Sequence, residues 1–449
     1  MPLRQRPKFP NPPGLSFVLL CILLAALLCV GGASRADVLG QVVARTLATL
    51  VVIMALLFAP RPRSRVPKVV TLLFLGAVLL TLLQLIPLPP SVWEQLPGRA
   101  LLLQAGAAGA QPWRPLSIEP GATVNSLGSL LVPGAVLVLA VGMREDEEKK
   151  LISVLLVLMM VSALIGLMQL SGSVVSNPLV NDTIGAVSGL FANRNHFALF
   201  LALGCLFVPV WATHKVAQIS WRLPAAVGLL LFFFLMILAS GSRGGVLTGT
   251  IGTVVGGWIV RADLRRALFR LPRRARTAAV IALPITVVAI LSLSIALSRA
   301  QSVTRALLLT SDEDMRSRAF PTVLQMISTY TPFGAGFGTF DTAFRIQEPF
   351  GLLKLTYFNH AHNDFAELLL EGGVAALVLL AAAVVWWLVA SVRAWRGGQS
   401  ARPMMQQLGS AALLLVGIAS VFDYPVRTPM MMAIVMIAGL WLARRPAAV

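Results

Sequence analysis

Charge is scarce in this chain of 449 residues: only 12% are Asp, Glu, Lys or Arg, where soluble domains carry about 25%. That shortage excludes a water-soluble globular enzyme, because too few polar groups remain to cover a surface. Cysteine is rarer still, and Cys21, Cys29 and Cys205 all lie inside apolar runs without metal-ligand spacing. Neither a disulfide framework nor a zinc site is expected. Acidic residues number 18 against 37 Lys and Arg, a formal net charge of +19. Such a balance can signal nucleic acid, but the basic residues sit in short connections between apolar runs, and no nucleic-acid partner is expected. What the chain has in abundance is apolar surface: 57% hydrophobic residues and a mean hydropathy of +0.82, more than one core can hide. Much of it must face lipid.

Apolar runs of spanning length fall near residues 14–33, 39–59, 69–87, 125–143, 151–171, 196–213, 223–240, 244–260, 279–298, 373–391, 408–422 and 430–443. The predicted fold is therefore all-α and polytopic, with about twelve transmembrane helices. The first run follows Arg4, Arg6 and Lys8 and is read as a retained span rather than a cleaved signal. With the N-terminus inside, alternate connections collect the basic residues, including seven arginines within 261–278, whereas the acidic residues gather on the other side. The excess of positive charge is then topogenic, with both termini cytoplasmic in a bacterial inner membrane. Two external segments are long, 88–124 and 299–372. The larger one lies between the ninth and tenth spans as a periplasmic loop, and within it 316–330 has the periodicity of an amphipathic helix. Residues 1–143 form an N-terminal set of helices and 144–449 a catalytic region. No internal repeat of the kind that builds inverted-repeat transporters is evident.

Side chains that can carry chemistry are few and fall on the external side. His360 and His362 stand in Asn359-His360-Ala361-His362-Asn363-Asp364, just before the tenth span. An imidazole titrates near neutrality and can take a proton from an attacking hydroxyl. A metal site built from His360, His362 and Asp364 is the competing reading; no distant ligand cluster supports it, and no metal or cofactor is expected. Asn363 and Asp364 also suit the cap of the following helix. Arg243, in Ser240-Gly241-Ser242-Arg243-Gly244-Gly245, lies between two apolar runs on the same side, where a cation points to an anionic partner or snorkels to headgroups. Arg316 and Arg318 open the amphipathic stretch beside Asp312, Glu313 and Asp314 and either join an anion clamp or pair with those acids. Asn193-Arg194-Asn195-His196 and Asp423-Tyr424-Pro425-Val426-Arg427 are read as interfacial turns or as further parts of a site. Arg45 is the main charge inside a span.

The order of these pieces resembles the O-antigen ligase and polymerase family of membrane glycosyltransferases. The resemblance rests on Gly189-Leu190-Phe191-Ala192-Asn193-Arg194-Asn195-His196, Ser240-Gly241-Ser242-Arg243-Gly244, Arg316 followed by Phe320, Pro332-Phe333-Gly334-Ala335-Gly336, and His360-Ala361-His362-Asn363 leading to Gly373. It covers about residues 185–430. The chain departs from the family pattern with Phe320 for a common Trp and Ala376 for a second glycine. The resemblance implies inverting, metal-independent transfer of a glycan from undecaprenyl diphosphate at the periplasmic face, in O-antigen or exopolysaccharide synthesis. The acceptor is another glycan or a lipid A core, and polymerase and ligase both remain open. It makes His362 the base and Arg243 and Arg316 the holders of the diphosphate, with His360, Asn363, Arg318, Asn193 and Arg194 as substrate-binding residues. A flippase or transporter of lipid-linked glycans is the alternative from another class, but it predicts charge near the middle of the bundle. The sequence gives no oligomeric state.

Overall fold

The computed structural model describes residues 12–60, 66–105, 111–173, 175–180, 185–213, 219–269, 312–353, 358–396 and 404–444. The predicted ninth span, 279–298, and the start of the large loop lie outside these residues. The described chain is almost wholly helical: α1 (Leu15–Val30), α2 (Leu39–Phe58), α3 (Lys68–Leu83), α4 (Pro90–Trp93), α5 (Ala100–Ala105), α6 (Pro120–Ser129), α7 (Leu131–Val141), α8 (Glu145–Leu170), α9 (Arg194–Thr213), α10 (Ile219–Ala239), α11 (Arg243–Ile259), α12 (Arg261–Phe269), α13 (Asp312–Tyr330), α14 (Phe340–Gln347), α15 (Asp364–Arg396), α16 (Met404–Phe422) and α17 (Pro429–Ala443). One short antiparallel pair, Pro87–Leu88 with Arg114–Pro115, is the sole sheet among the described residues.

Eleven of the twelve predicted apolar segments coincide with helices. Among the described residues, seven helices are long and apolar enough to cross a membrane, with α6 and α7 counted as one, or eight if α11 and α12, bent by 73°, also count as one; α1, α3 and α17 are shorter apolar helices. The chain is thus a multi-pass membrane protein. Helix α9 is its hub: nearly every side chain from His196 to Val210 is buried, so it contacts protein all round rather than lipid. Small residues permit this. A Cβ on Gly252 would sit 2.7 Å from the Ala202 carbonyl, and one on Gly256 2.5 Å from that of Leu206, so α9 and α11 run side by side at a spacing only glycine allows. The matched positions rise together along both helices. The two are parallel, and their N-termini lie at the same end of the bundle.

The ends differ chemically. At one, the Gly14 amide and Arg144 both bond Glu147, and Arg444 pairs with Glu148 at 2.7 Å. At the other stand the α1–α2 turn, the N-termini of α9, α11, α15 and α17, and the C-terminus of α16. The segments predicted to be external cap that second end. As the periodicity predicts, α13 is amphipathic, burying Met315, Ala319, Val323, Met326 and Tyr330 in a small core with Phe340, Phe344 and Leu370. The glycine turn after α13 grips α15. Gly373 has φ +60, and a Cβ there would lie 2.2 Å from the Pro332 carbonyl; the Ala335 amide donates to Leu370 O and the Val374 amide to Pro332 O, both at 2.9 Å. Only glycine accepts that conformation and that approach together. Segment 111–120 packs on the outside of the turn, where the Ile118 amide donates to Ala335 O and the Thr123 hydroxyl to Phe337 O.

Helix α15 begins at Asp364, nine residues before the predicted span. Its first turns carry Asp364, Glu367 and Glu371, spaced to share one face. That face points into protein, so the helix extends beyond the apolar run that marks it in the sequence.

Candidate functional site

The centre of the site is a carboxylate, Asp423, in the turn between α16 and α17, with only 3% of its surface exposed. One oxygen faces His362 Nδ1 at 3.0 Å and accepts from the Tyr424 amide; the other accepts from the amide groups of Asn193 at 3.1 Å and Asn195 at 2.6 Å. Arg316 Nη2 stands 3.8 Å away, and its Nη1 lies 3.5 Å from the Phe422 carbonyl. Four well-separated stretches of sequence thus meet on one side chain. Burial works against the charge of Asp423, but the hydrogen bond from His362 and the neighbouring charges of His196, His362 and Arg316 outweigh it and hold the carboxyl far below the usual carboxylate range.

An ionised Asp423 fixes the tautomer of His362. Nδ1 carries the proton and donates it to Oδ1, which leaves the lone pair on Nε2. Burial lowers the pKa of His362, the hydrogen bond and charge of Asp423 raise it, and the charges of Arg316 and His360 lower it again; the net shift is downward, so at neutral pH the ring is a free base. Its backbone is special too: His362 has φ +50, the one positive value at a non-glycine residue among the described residues, at a cost of about 1–2 kcal/mol. Asn363 starts the next helix: its Oδ1 accepts from the Phe365 and Ala366 amides and caps α15, while its Nδ2 donates to Val421 O. Tyr424 packs between the imidazoles of His196, His360 and His362, with centroid distances of 5.0, 4.1 and 4.9 Å. Burial, then the charge of Asp423, pushes its hydroxyl upward, so it stays protonated.

His360 is built differently. Its Nδ1 pairs with Glu367 at 2.7 Å and its Nε2 with the Ser34 hydroxyl at 2.9 Å, so both nitrogens are engaged. Glu367 in turn lies 3.1 Å from Arg427 Nη1, which also meets Glu371 at 2.9 Å, while Arg427 Nε is 3.6 Å from Asp364. Glu367 and Glu371 are wholly buried. Burial disfavours the arginine's charge, yet three carboxylates around it drive its pKa up. This cluster ties the start of α15 to the 3-10 turn Pro425–Arg427 and thereby holds Asp423 against His362.

The remaining predicted residues divide. Arg243 is the exposed first residue of α11, whose N-cap Ser242 accepts from the Gly245 amide at 3.0 Å; the Gly245 backbone closes on Ala198, so Arg243 stands at the α9 terminus that carries Asn193 and Asn195. Arg194 starts α9 and is half-buried. Arg318 points elsewhere: two residues from Arg316 on a helix it faces another side, and it donates to Gly351 O at 3.0 Å. His360, His362 and Asp364 do not converge as ligands, and no group of three or more His, Cys, Asp or Glu among the described residues is arranged to hold a metal ion. Sequence reasoning left Asp423, Asn195, Ser34 and Arg427 outside its selected site residues. One signal pointed to the last: three acids on one face of an apolar helix call for a buried cation.

Against known families, residues 228–381 match the family model described as O-antigen ligase. No curated protein matches the chain. The matched region contains Arg243, Arg316, His360 and His362, with the glycine turn between them; Asn193 and Asp423 flank it on either side. Over residues 228–381 the chain is similar to the O-antigen ligase family.

Proposed function

We propose that the protein is an inverting, metal-independent glycosyltransferase that moves a glycan from undecaprenyl diphosphate to a sugar hydroxyl, of a further glycan or of a lipid A core, in surface polysaccharide synthesis. The observation that carries this reading is the His362–Asp423 pair with Arg316 against it, inside the region that matches the O-antigen ligase family. His362 Nε2 takes the proton of the acceptor hydroxyl as its oxygen attacks the anomeric carbon from the face opposite the diphosphate. The bond from that carbon to the diphosphate oxygen breaks, and the lipid diphosphate departs with its charge met by Arg243 and Arg316. Asp423 holds the ring in place and stabilises the imidazolium that forms. Asn193 and His360 act by positioning Asp423 and the 360–362 turn, Asn363 by capping, and Arg194 binds substrate from the start of α9, whereas Arg318, turned to another side of its helix, is left out of the substrate-binding set.

In this reading twelve spans cross a bacterial inner membrane, residues 144–449 form the catalytic region beside the helices of 1–143, and loop 299–372 and the site face the periplasm. The charge distribution supports that orientation: the end holding Arg144 and Arg444 is the one whose loops are basic. The test is to delete the gene in its host and restore wild type, His362→Ala or Arg243→Ala in turn while separating surface and lipid-linked glycans on gels. Wild type restores the glycan pattern and neither variant does; single repeats on the acceptor mark a polymerase, and a full ladder left on the lipid marks a ligase. Normal glycans with both variants would overturn the assignment.

A further inference from the structure

Arg45 is a cation inside a predicted span, and the site described above does not use it. It lies six residues, about 9 Å at 1.5 Å per residue, from the end of α2 nearest His362. It is half-buried and shares the α2 face of buried Gln41 and Ala48, beside Gly128 of α6. Among the described residues no carboxylate is within ion-pair distance. Its side chain has a single hydrogen-bond partner there, Gln41 Oε1 at 3.3 Å, and its buried Nε has none. An arginine this deep without a counter-ion is costly unless something anionic reaches it.

Its surroundings connect it to the site. Gln41 Nε2 donates to the Ala33 carbonyl at 2.7 Å, next to Ser34, whose hydroxyl meets His360 Nε2. On the other side stands Gly128 of α6, where a Cβ would lie 3.4 Å from Arg45 Nη1; the glycine keeps space open beside the guanidinium. The same helix reaches the glycine turn, through Thr123 on Phe337 O. The edges of this α2–α6 groove, Val42 and Val124, are 57% and 56% exposed, so it opens sideways toward the bilayer.

We propose that Arg45, positioned by Gln41, forms a phosphate-binding subsite below the His362–Asp423 pair, which receives the diphosphate of the lipid-linked donor as it enters from the bilayer between α2 and α6. The subsite rests on the glycosyltransferase reading, and it assigns a donor-binding role to a helix outside the region matched to the family. A phospholipid headgroup presents the same phosphate chemistry, so the experiment separates the two. The full chain is placed in nanodiscs of neutral phosphatidylcholine, and binding of undecaprenyl diphosphate is measured for wild type, Arg45→Met, Arg45→Lys and Arg243→Ala, with thermal unfolding as a folding control. A charged hydrogen bond of about 1.5–3 kcal/mol corresponds to Kd and donor KM rising roughly tenfold or more in Arg45→Met, most of the effect falling on KM rather than kcat, with partial recovery in Arg45→Lys. Wild-type affinity in Arg45→Met, alongside loss of binding in Arg243→Ala, overturns the subsite and leaves the catalytic reading standing. No binding by wild type overturns that reading itself. In nanodiscs with phosphatidylglycerol and no diphosphate, loss of retained phosphatidylglycerol by Arg45→Met with unchanged diphosphate affinity identifies an ordinary headgroup site and overturns the proposal.

Discussion

At the residue scale, one carboxylate organises the chemistry. Asp423 fixes which nitrogen of His362 is basic, and burial keeps that ring neutral at the pH where it must accept a proton. Two influences on His362 oppose each other: burial lowers its pKa and Asp423 raises it. The active form is the neutral ring, so turnover is expected to fall as pH drops through a pKa below the ordinary imidazole value of 6.5. Asp423→Asn removes the raising influence, so the acidic limb should move to still lower pH. The same change lowers the plateau rate by about 10²-fold or more, because the amide no longer enforces the tautomer. A pH–rate profile of both proteins checks this, and a limb that stays in place or moves upward would refute the assignment. His362 and Asn193 were legible as candidates because histidine and asparagine are rare in this chain, and Arg316 because it opens the amphipathic stretch of the large loop. Asp423 was less so: it lies 61 residues beyond His362, in a turn that reads as an ordinary interfacial one, and only tertiary folding brings the two together.

At the element scale, the long helix α15 and the glycine turn act as one part. The apolar run from Gly373 onward predicts a span, and the structure adds two polar turns before it, from Asp364, whose acids surround Arg427. Hydropathy could not include those turns, since charged residues read as loop until their partner is known. The glycines were legible as a motif, but their reason is backbone contact: Gly334 and Gly373 stand where a Cβ would overlap Glu371 O and Pro332 O. Gly373→Ala should therefore destabilise strongly. Its φ of 60 with ψ −154 is a backbone region essentially confined to glycine, costing other residues about 1–3 kcal/mol, and an overlap at 2.2 Å with a backbone oxygen cannot be relieved by a side-chain movement. The expected result is a fall in unfolding temperature of the detergent-solubilised protein with loss of activity, whereas Gly121→Ala, with open space around it, should leave the unfolding temperature near wild type. Equal temperatures for all three proteins would contradict this account of the turn.

At the scale of the whole molecule, the chain has two chemically distinct ends, and the groups proposed to be catalytic all lie at one of them. Helix positions were legible from apolar runs, because lipid imposes a length and a composition. The burial of α9 was not, since a helix surrounded by protein and one surrounded by lipid are both apolar. The proposed orientation rests on the basic loops. With the native cysteines replaced, Arg318→Cys should be labelled by a membrane-impermeant maleimide once the outer membrane is opened, whereas Lys150→Cys should be labelled only after the inner membrane is breached. The reverse pattern would put the site in the cytoplasm.

The central claim is that His362 is the base of a glycosyl transfer assisted by arginine. Its most direct test is transfer of a labelled glycan from undecaprenyl diphosphate by the purified protein, comparing wild type with His362→Ala and Arg316→Ala. The account predicts turnover by wild type, a loss of about 10²–10⁴-fold without the imidazole, and a loss of about 10²–10³-fold without the guanidinium. Near-normal turnover by His362→Ala would contradict it.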